Sequence, residues 1–169
     1  MSEPVAEMPE SLQPVAKAVQ ERYPQANVAF RTDGWLEVHI PVDQSPEFFR
    51  YLKEHPGLSF DYLSSITAVD YQEKGFQVVY HLVSMGIDAK GNRQLVVKID
   101  VPRDNPRVPS VVEVWPTADF HEREAFDLMG IVFDGHPNLR RILLREDWVG
   151  HPLRKDYVDR RPPRPRVVR

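Results

Sequence analysis

Two stretches of strict alternation constrain this chain more than any other feature. Phe76, Val78, Tyr80 and Leu82 alternate with Gln77, Val79, His81 and Val83; Leu95, Val97, Ile99 and Val101 alternate with Gln94, Val96, Lys98 and Asp100. A period of two sends successive side chains to opposite faces, so each stretch reads as a strand with its first set facing a core. The short link between them, from Gly86 to Arg93, predicts an antiparallel pair. A sheet with one apolar face needs a second layer to cover it.

Helical spacing elsewhere supplies that layer. Ser11 can cap a short helix with Val15, Ala18 and Val19 on one side, ending near Tyr23-Pro24. Ser45-Pro46 opens another with Phe48, Phe49 and Leu52 inward, stopped by Pro56-Gly57. Between them, Asn27–Arg31 and Trp35–Ile40 flank Thr32-Asp33-Gly34 as a hairpin whose Leu36, Val38 and Ile40 are buried. Asp61 to Tyr71 is ambiguous between helix and strand; its β-branched half, Ile66 to Tyr71, reads as strand. Ser110 and Glu113 form a capping-box pattern, limited by Pro116 to a turn or two of helix. The expectation is an α+β fold: an antiparallel or mixed sheet with helices on one face and an extended basic C-terminal arm.

A chain of 169 residues suits a flexible start (1–10), one core domain (11–135) and that arm (136–169). With no cysteine it has no disulfide framework and no thiolate for zinc or an iron–sulfur cluster. No apolar run reaches membrane-spanning length, and an N-terminus carrying Glu3, Glu7 and Glu10 lacks the basic and apolar regions of a signal peptide. A soluble chain not exported by that route is expected. Net charge is only −3, but it is unevenly placed: residues 1–135 carry 12 Lys and Arg against 21 Asp and Glu, residues 136–169 carry 10 against 4. The two parts should prefer different neighbours.

The densest chemistry lies from His121 to Tyr157. Asp119 stands where an N-cap should, with Glu122 as a capping-box partner, for a helix from about Phe120 to Met129 closed by Gly130 in a left-handed conformation. Ala125, Phe126 and Met129 share a side with Glu122; Arg123 and Asp127 lie one turn apart on another. Asp127 sits near the negative end of the helix dipole, and Arg140 or Arg141 is the expected compensation. A short strand, Ile131-Val132-Phe133, then meets the Asp134-Gly135 turn. Gly135-His136-Pro137 before Leu139-Arg140-Arg141 is echoed by Gly150-His151-Pro152 before Leu153-Arg154-Lys155, two ordered turns offering cations.

None of these groups completes a catalytic site. His121-Glu122 lacks the second histidine four residues on, since position 125 is alanine. Glu122 and Glu124, two apart on a helix, do not face each other as an acid/base pair would. His39 and His81 read as satisfied strand histidines, and His136 and His151 as hydrogen-bonding structural residues rather than ligands. No glycine-rich loop follows a strand, and no nucleophile elbow is present. The Arg160–Arg166 stretch, proline-rich and without an apolar face, should be extended unless a partner orders it. It could contact phosphates, but the chain is acidic overall and its aromatics are not interleaved with the tail.

The run Glu122-Arg123-Glu124, Asp127, Gly130-Ile131, Gly135-His136-Pro137, Leu139 to Leu143, Asp147-Trp148 and Gly150 to Tyr157 resembles, in order and in gaps, the signature of the C-type subunits of NADH-quinone oxidoreductase, respiratory complex I. The likeness continues more loosely through Ile66–Tyr71, Val79–Leu82 and Pro109–Val111 and fades before about Leu58. The resemblance implies a non-catalytic peripheral-arm subunit with no cofactor of its own, in an assembly holding FMN, iron–sulfur clusters and quinone. Its expected partners are the D-type, hydrogenase-like chain and neighbouring iron–sulfur subunits, at the cytoplasmic face of a bacterial inner membrane. The expected interface or structural residues are Glu122, Arg123, Glu124, Asp127, His136, Arg140, Arg141, His151, Arg154, Lys155, Asp156 and Tyr157. Arg140, Arg141, Arg154 and Lys155 should bond carboxylates, chiefly across an interface. The alternatives are the matching subunit of a ferredoxin-dependent complex, where an aromatic would be expected at His151, or of a membrane-bound hydrogenase, and, in a different class, a nucleic-acid-binding module using the tail.

Overall fold

A computed structural model of the chain describes residues 8–85 and 93–159. Five strands form one sheet: β1 (Asn27–Phe30), β2 (Leu36–His39), β3 (Tyr62–Asp70), β4 (Phe76–Ser84) and β5 (Arg93–Val101), in the order β1-β2-β5-β4-β3. Every neighbouring pair is antiparallel except β2 with β5, which is parallel, so the sheet is mixed. Three helices join it: α1 (Gln13–Arg22), α2 (Ser45–Glu54) and α3 (Ala118–Met129). Two three-residue strands, β6 (Arg107–Pro109) and β7 (Val132–Asp134), pair in parallel beside them.

The two alternating segments pair antiparallel along their whole length, with Tyr80 opposite Val97 and Leu82 opposite Leu95. The face carrying Leu36, Val38, Tyr80, Leu82, Leu95 and Val97 joins the buried side chains of all three helices in one cluster. Helix α2 contributes Phe48, Phe49 and Leu52, each fully buried, as its spacing required. Trp115 adds the largest buried side chain and donates its indole N–H to the Phe60 carbonyl at 3.0 Å. The other face of β4 is not open in the way alternation suggests. Gln77, Val79 and Val83 are buried too.

Several local expectations are corrected. Helix α1 has no side-chain cap from Ser11; its N-cap is Leu12, and Ala16 rather than Ala18 is among its buried residues. Strand β3 begins at Tyr62, because Leu63 and Ile66 both reach the core across an irregularity at Ser64. Ser110 starts no helix. The chain makes a single turn closed by Trp115 N–H to the Val111 carbonyl at 2.8 Å, and Glu113 points out toward Arg50. Asp119 is not the N-cap of α3: Thr117 holds that position without a side-chain cap bond, and Asp119 lies in the first turn. Beyond β7, residues 136–159 form turns with no helix or strand. The Arg160–Arg166 stretch lies outside the described residues.

Candidate functional site

Helix α3 buries three charged side chains, and each is stabilised differently. Glu122 is fully buried and, among the described residues, pairs with no cation; its carboxylate accepts from the Ser110 hydroxyl at 2.6 Å and the Val111 N–H at 2.7 Å. Desolvation dominates, pushing its pKa up to about 7 against the pull of those two bonds. Arg123 donates through Nε to the Arg140 carbonyl at 3.2 Å, with Asp119 Oδ1 3.8 Å away. Asp127 is fully buried, and its Oδ2 accepts from three consecutive main-chain N–H groups, of Ile142, Leu143 and Leu144, at 3.1, 2.8 and 2.9 Å. Arg141 stands beside it at 3.7 Å, so one of the two expected cations is present. The peptide N–H groups, which no local motif marks, make the shorter contacts.

The arm returns to cap the helix it follows. An α-helix leaves its last four carbonyls without intrahelical donors. Here the Phe126 carbonyl takes the Gly130 N–H, Asp127 takes His151 Nδ1–H at 3.0 Å, Leu128 takes the Leu153 N–H at 3.1 Å, and Met129 takes Arg154 Nε–H at 2.7 Å. Gly130, at φ 72°, turns the chain out beneath these groups. Arg154, expected to reach a carboxylate across an interface, is thus engaged with main-chain carbonyls of its own chain. Burial, with Arg154 and Arg141 nearby, lowers the pKa of His151 and favours its neutral form. The first echo is ordered similarly. His136 Nδ1 accepts the Asn138 N–H at 2.9 Å, which puts the ring proton on Nε2, where it faces the Asp119 carbonyl at 3.3 Å.

A third anchor ties the arm to the sheet. Asp70, buried at the end of β3, accepts from the Lys155 N–H at 2.8 Å, the Gln72 N–H at 2.6 Å and Arg103 Nη1 at 2.7 Å. Burial alone would raise its pKa, but these donors together hold it below the usual value. Arg103 also reaches Asp156 at 2.6 Å, and the guanidinium carbons of Arg103 and Arg154 lie 5.1 and 5.0 Å from the centre of the Phe76 ring. Tyr157 packs its ring on Gly150. Asp70, Arg103 and Ser110 join the site through partners distant in the sequence, which no local pattern marks.

What remains outward is a mixed surface. Glu124, Arg140 and Lys155 are exposed, and among the described residues their side chains make no ion pair. Phe120, Leu143, Val149, Leu153 and Val158 are exposed apolar side chains on α3 and the arm. A cleft of about 830 Å³ opens between Trp148, His151, Arg154 and Tyr157. Among the described residues no three His, Asp or Glu side chains converge as a metal would need, and no helix is long and apolar enough to cross a membrane. The arrangement holds the arm against the end of α3 and the end of β3.

The family model for the respiratory-chain NADH dehydrogenase 30 Kd subunit matches residues 38–163, from the end of β2 through β3, β4, β5 and α3 into the arm. The chain belongs to that family. The C-type subunit of NADH-quinone oxidoreductase from Roseiflexus castenholzii is 46% identical over 125 residues, which cover 73% of this chain and 70% of that protein. Its counterpart from Chlorobium phaeobacteroides is 45% identical over 143 residues, covering 82% and 84%. Among solved structures, the trypsin-resistant fragment (1–134) of Nqo5 superposes with a TM-score of 0.66 at 33% identity, over 76% of this chain and 99% of that one. A chain of the archaeal membrane-bound sulfane sulfur reductase, a respiratory membrane complex, superposes with 0.76 at 30% identity, over 88% and 86%. As a member of the 30 Kd family the chain is a peripheral subunit of NADH-quinone oxidoreductase, and the match begins well upstream of Leu58, where the signature residues thin out.

Proposed function

We propose that this subunit is a structural one, without catalytic residues, whose body (residues 11–135) positions a docking arm (residues 136–169). The arm's neighbours are the D-type, hydrogenase-like chain and adjacent iron–sulfur subunits of the quinone-reducing module. FMN, iron–sulfur clusters and quinone are bound by those other chains. The donor set here does not suit a cluster: there is no cysteine, and no glycine-rich phosphate loop follows a strand. The complex would sit at the cytoplasmic face of a bacterial inner membrane, held there by its other subunits.

The observation that carries this reading is the contrast within the signature. Arg123, Asp127, His136, His151 and Arg154 are turned inward and tie the arm to α3, and Glu122 holds the turn at Ser110-Val111, while Glu124, Arg140, Lys155 and the apolar side chains of the arm are left outward. A pre-ordered surface loses less entropy on association. Charge reversal at Glu124→Lys, Arg140→Glu or Lys155→Glu tests the reading. Native gels should show less assembled complex, with the melting temperature of the isolated chain unchanged; full assembly of all three variants would contradict it. The likeness to the sulfane sulfur reductase chain supports a second reading, the same role in a sister complex, and the names of the 45–46% relatives favour the first.

A further inference from the structure

Exposed apolar side chains gather in two places on the described surface. One is α3 with the arm. The other, Tyr62, Val69, Tyr71 and Met85, follows the margin of the sheet along β3. Strand β3 is nine residues long and outermost in its sheet, with β4 on one side. Among the described residues no hydrogen bond from outside the sheet reaches its main chain. The opposite edge, β1, has only four residues.

An edge strand offers a row of N–H and C=O groups for pairing, and proteins usually blunt it with lysine, proline, shortness or a cover. From Tyr62 to Val69 the sequence is YLSSITAV, without a charge, a proline or a glycine. The nearest charge on the strand is Asp70, which is turned into the latch with Arg103 and Lys155. Helix α3 packs against β3, but among the described residues no main chain pairs with its outward groups, so a nine-residue strand of this composition keeps an open ladder.

The geometry points to a second contact between subunits: the free edge of β3 takes an extended, uncharged segment of a neighbouring chain as a sixth strand of the sheet. This rests on the proposed role of the protein in docking. A main-chain ladder selects an extended polypeptide, and the flanking tyrosines and Val69 select uncharged side chains over anionic headgroups or phosphates. The Lys155 N–H bond to Asp70 puts the arm at the end of β3, so the arm and the edge form one continuous surface. A second copy fits less well. A two-fold β3–β3 pair would carry the irregularity at Ser64 twice, breaking the ladder in both halves.

The test is amide exchange read residue by residue across residues 62–70, on the full chain alone and in the purified complex. Alone, the amides paired with β4 should exchange slowly and the alternate, outward ones fast. Assembly should slow the outward set by ~100-fold or more. Outward amides that stay fast in a complex still containing the chain overturn the edge proposal and leave the docking role standing. A chain that never co-purifies with redox subunits overturns the docking role itself. Photo-crosslinking from Thr67→p-benzoylphenylalanine in the complex identifies the occupant. An adduct within an extended segment of another subunit is expected; no adduct, a β3–β3 adduct, or an adduct with residues 160–169 of the same chain overturns the proposal.

Discussion

A Cβ placed on Gly130 would stand 2.6 Å from Arg154 Nη2 and 2.6 Å from His151 Nε2. The glycine is therefore needed twice. Its left-handed backbone ends α3, and its missing side chain leaves room for the two residues that cap that helix. Gly130→Ala should cost at least about 2 kcal/mol, combining backbone strain with displacement of the caps. Denaturant titration of the variant measures the loss, and faster amide exchange across residues 150–155 would show that the arm has moved.

Glu122 makes stability depend on pH in a direction unusual for a carboxylate. Its folded pKa, about 7, lies above its ordinary 4.5, so the folded state binds the proton more tightly. The resulting stabilisation is fully present below pH 4.5 and is lost as pH rises through about 7. Glu122→Gln keeps an acceptor for the Val111 N–H and removes the charge. It should leave stability unchanged near pH 4 and raise it by about 1–3 kcal/mol at pH 8. Denaturation curves at both pH values check the sign.

Asp127 should be costly to truncate. Asp127→Ala strands three peptide N–H groups that share its Oδ2, and a loss of about 3–5 kcal/mol is expected. Asp127→Asn keeps an acceptor oxygen and should lose less than half of that, because the short contacts are to main-chain donors and Arg141 is 3.7 Å off. Equal losses in the two variants would make the ion pair the dominant partner.

The Asp70 latch should loosen in acid. Burial raises the Asp70 pKa, but the Lys155 and Gln72 N–H groups and Arg103 outweigh it, so the folded value lies below 3.8. The stability it contributes is present above pH 3.8 and lost as pH falls through the lower, folded value. Asp70→Ala should release the Lys155 end of the arm at neutral pH. Amide exchange at Lys155 should quicken by ~10-fold or more while the centre of β4 stays protected.

Local rules made much of this fold legible. The alternation of residues 76–83 and 94–101 marked the central strand pair, the spacing of Phe48, Phe49 and Leu52 marked the buried face of α2, and Gly130 marked the end of α3. What escaped was set by contacts between distant residues. Nothing local to Ser110 says that its hydroxyl will serve Glu122 rather than a helix of its own, and nothing local to Asp70 predicts a main-chain bond from Lys155. The candidate site divided in the same way. The signature residues could be picked out as a group, but a motif does not say which of its charges face inward, and Arg154 went to the end of α3 rather than outward.

Whether the chain docks by its arm is decided by purifying it, tagged at its N-terminus, from membranes of its own host in mild detergent. Its companions are identified and the eluate is assayed for NADH-to-quinone electron transfer. A hydrogenase-like chain and iron–sulfur subunits should accompany the tagged chain in fixed ratio. Inhibitor-sensitive NADH oxidation should fall in the Arg140→Glu and Lys155→Glu variants in proportion to assembled complex. Recovery of the chain alone, or with nucleic acid and no redox subunit, would contradict the docking role.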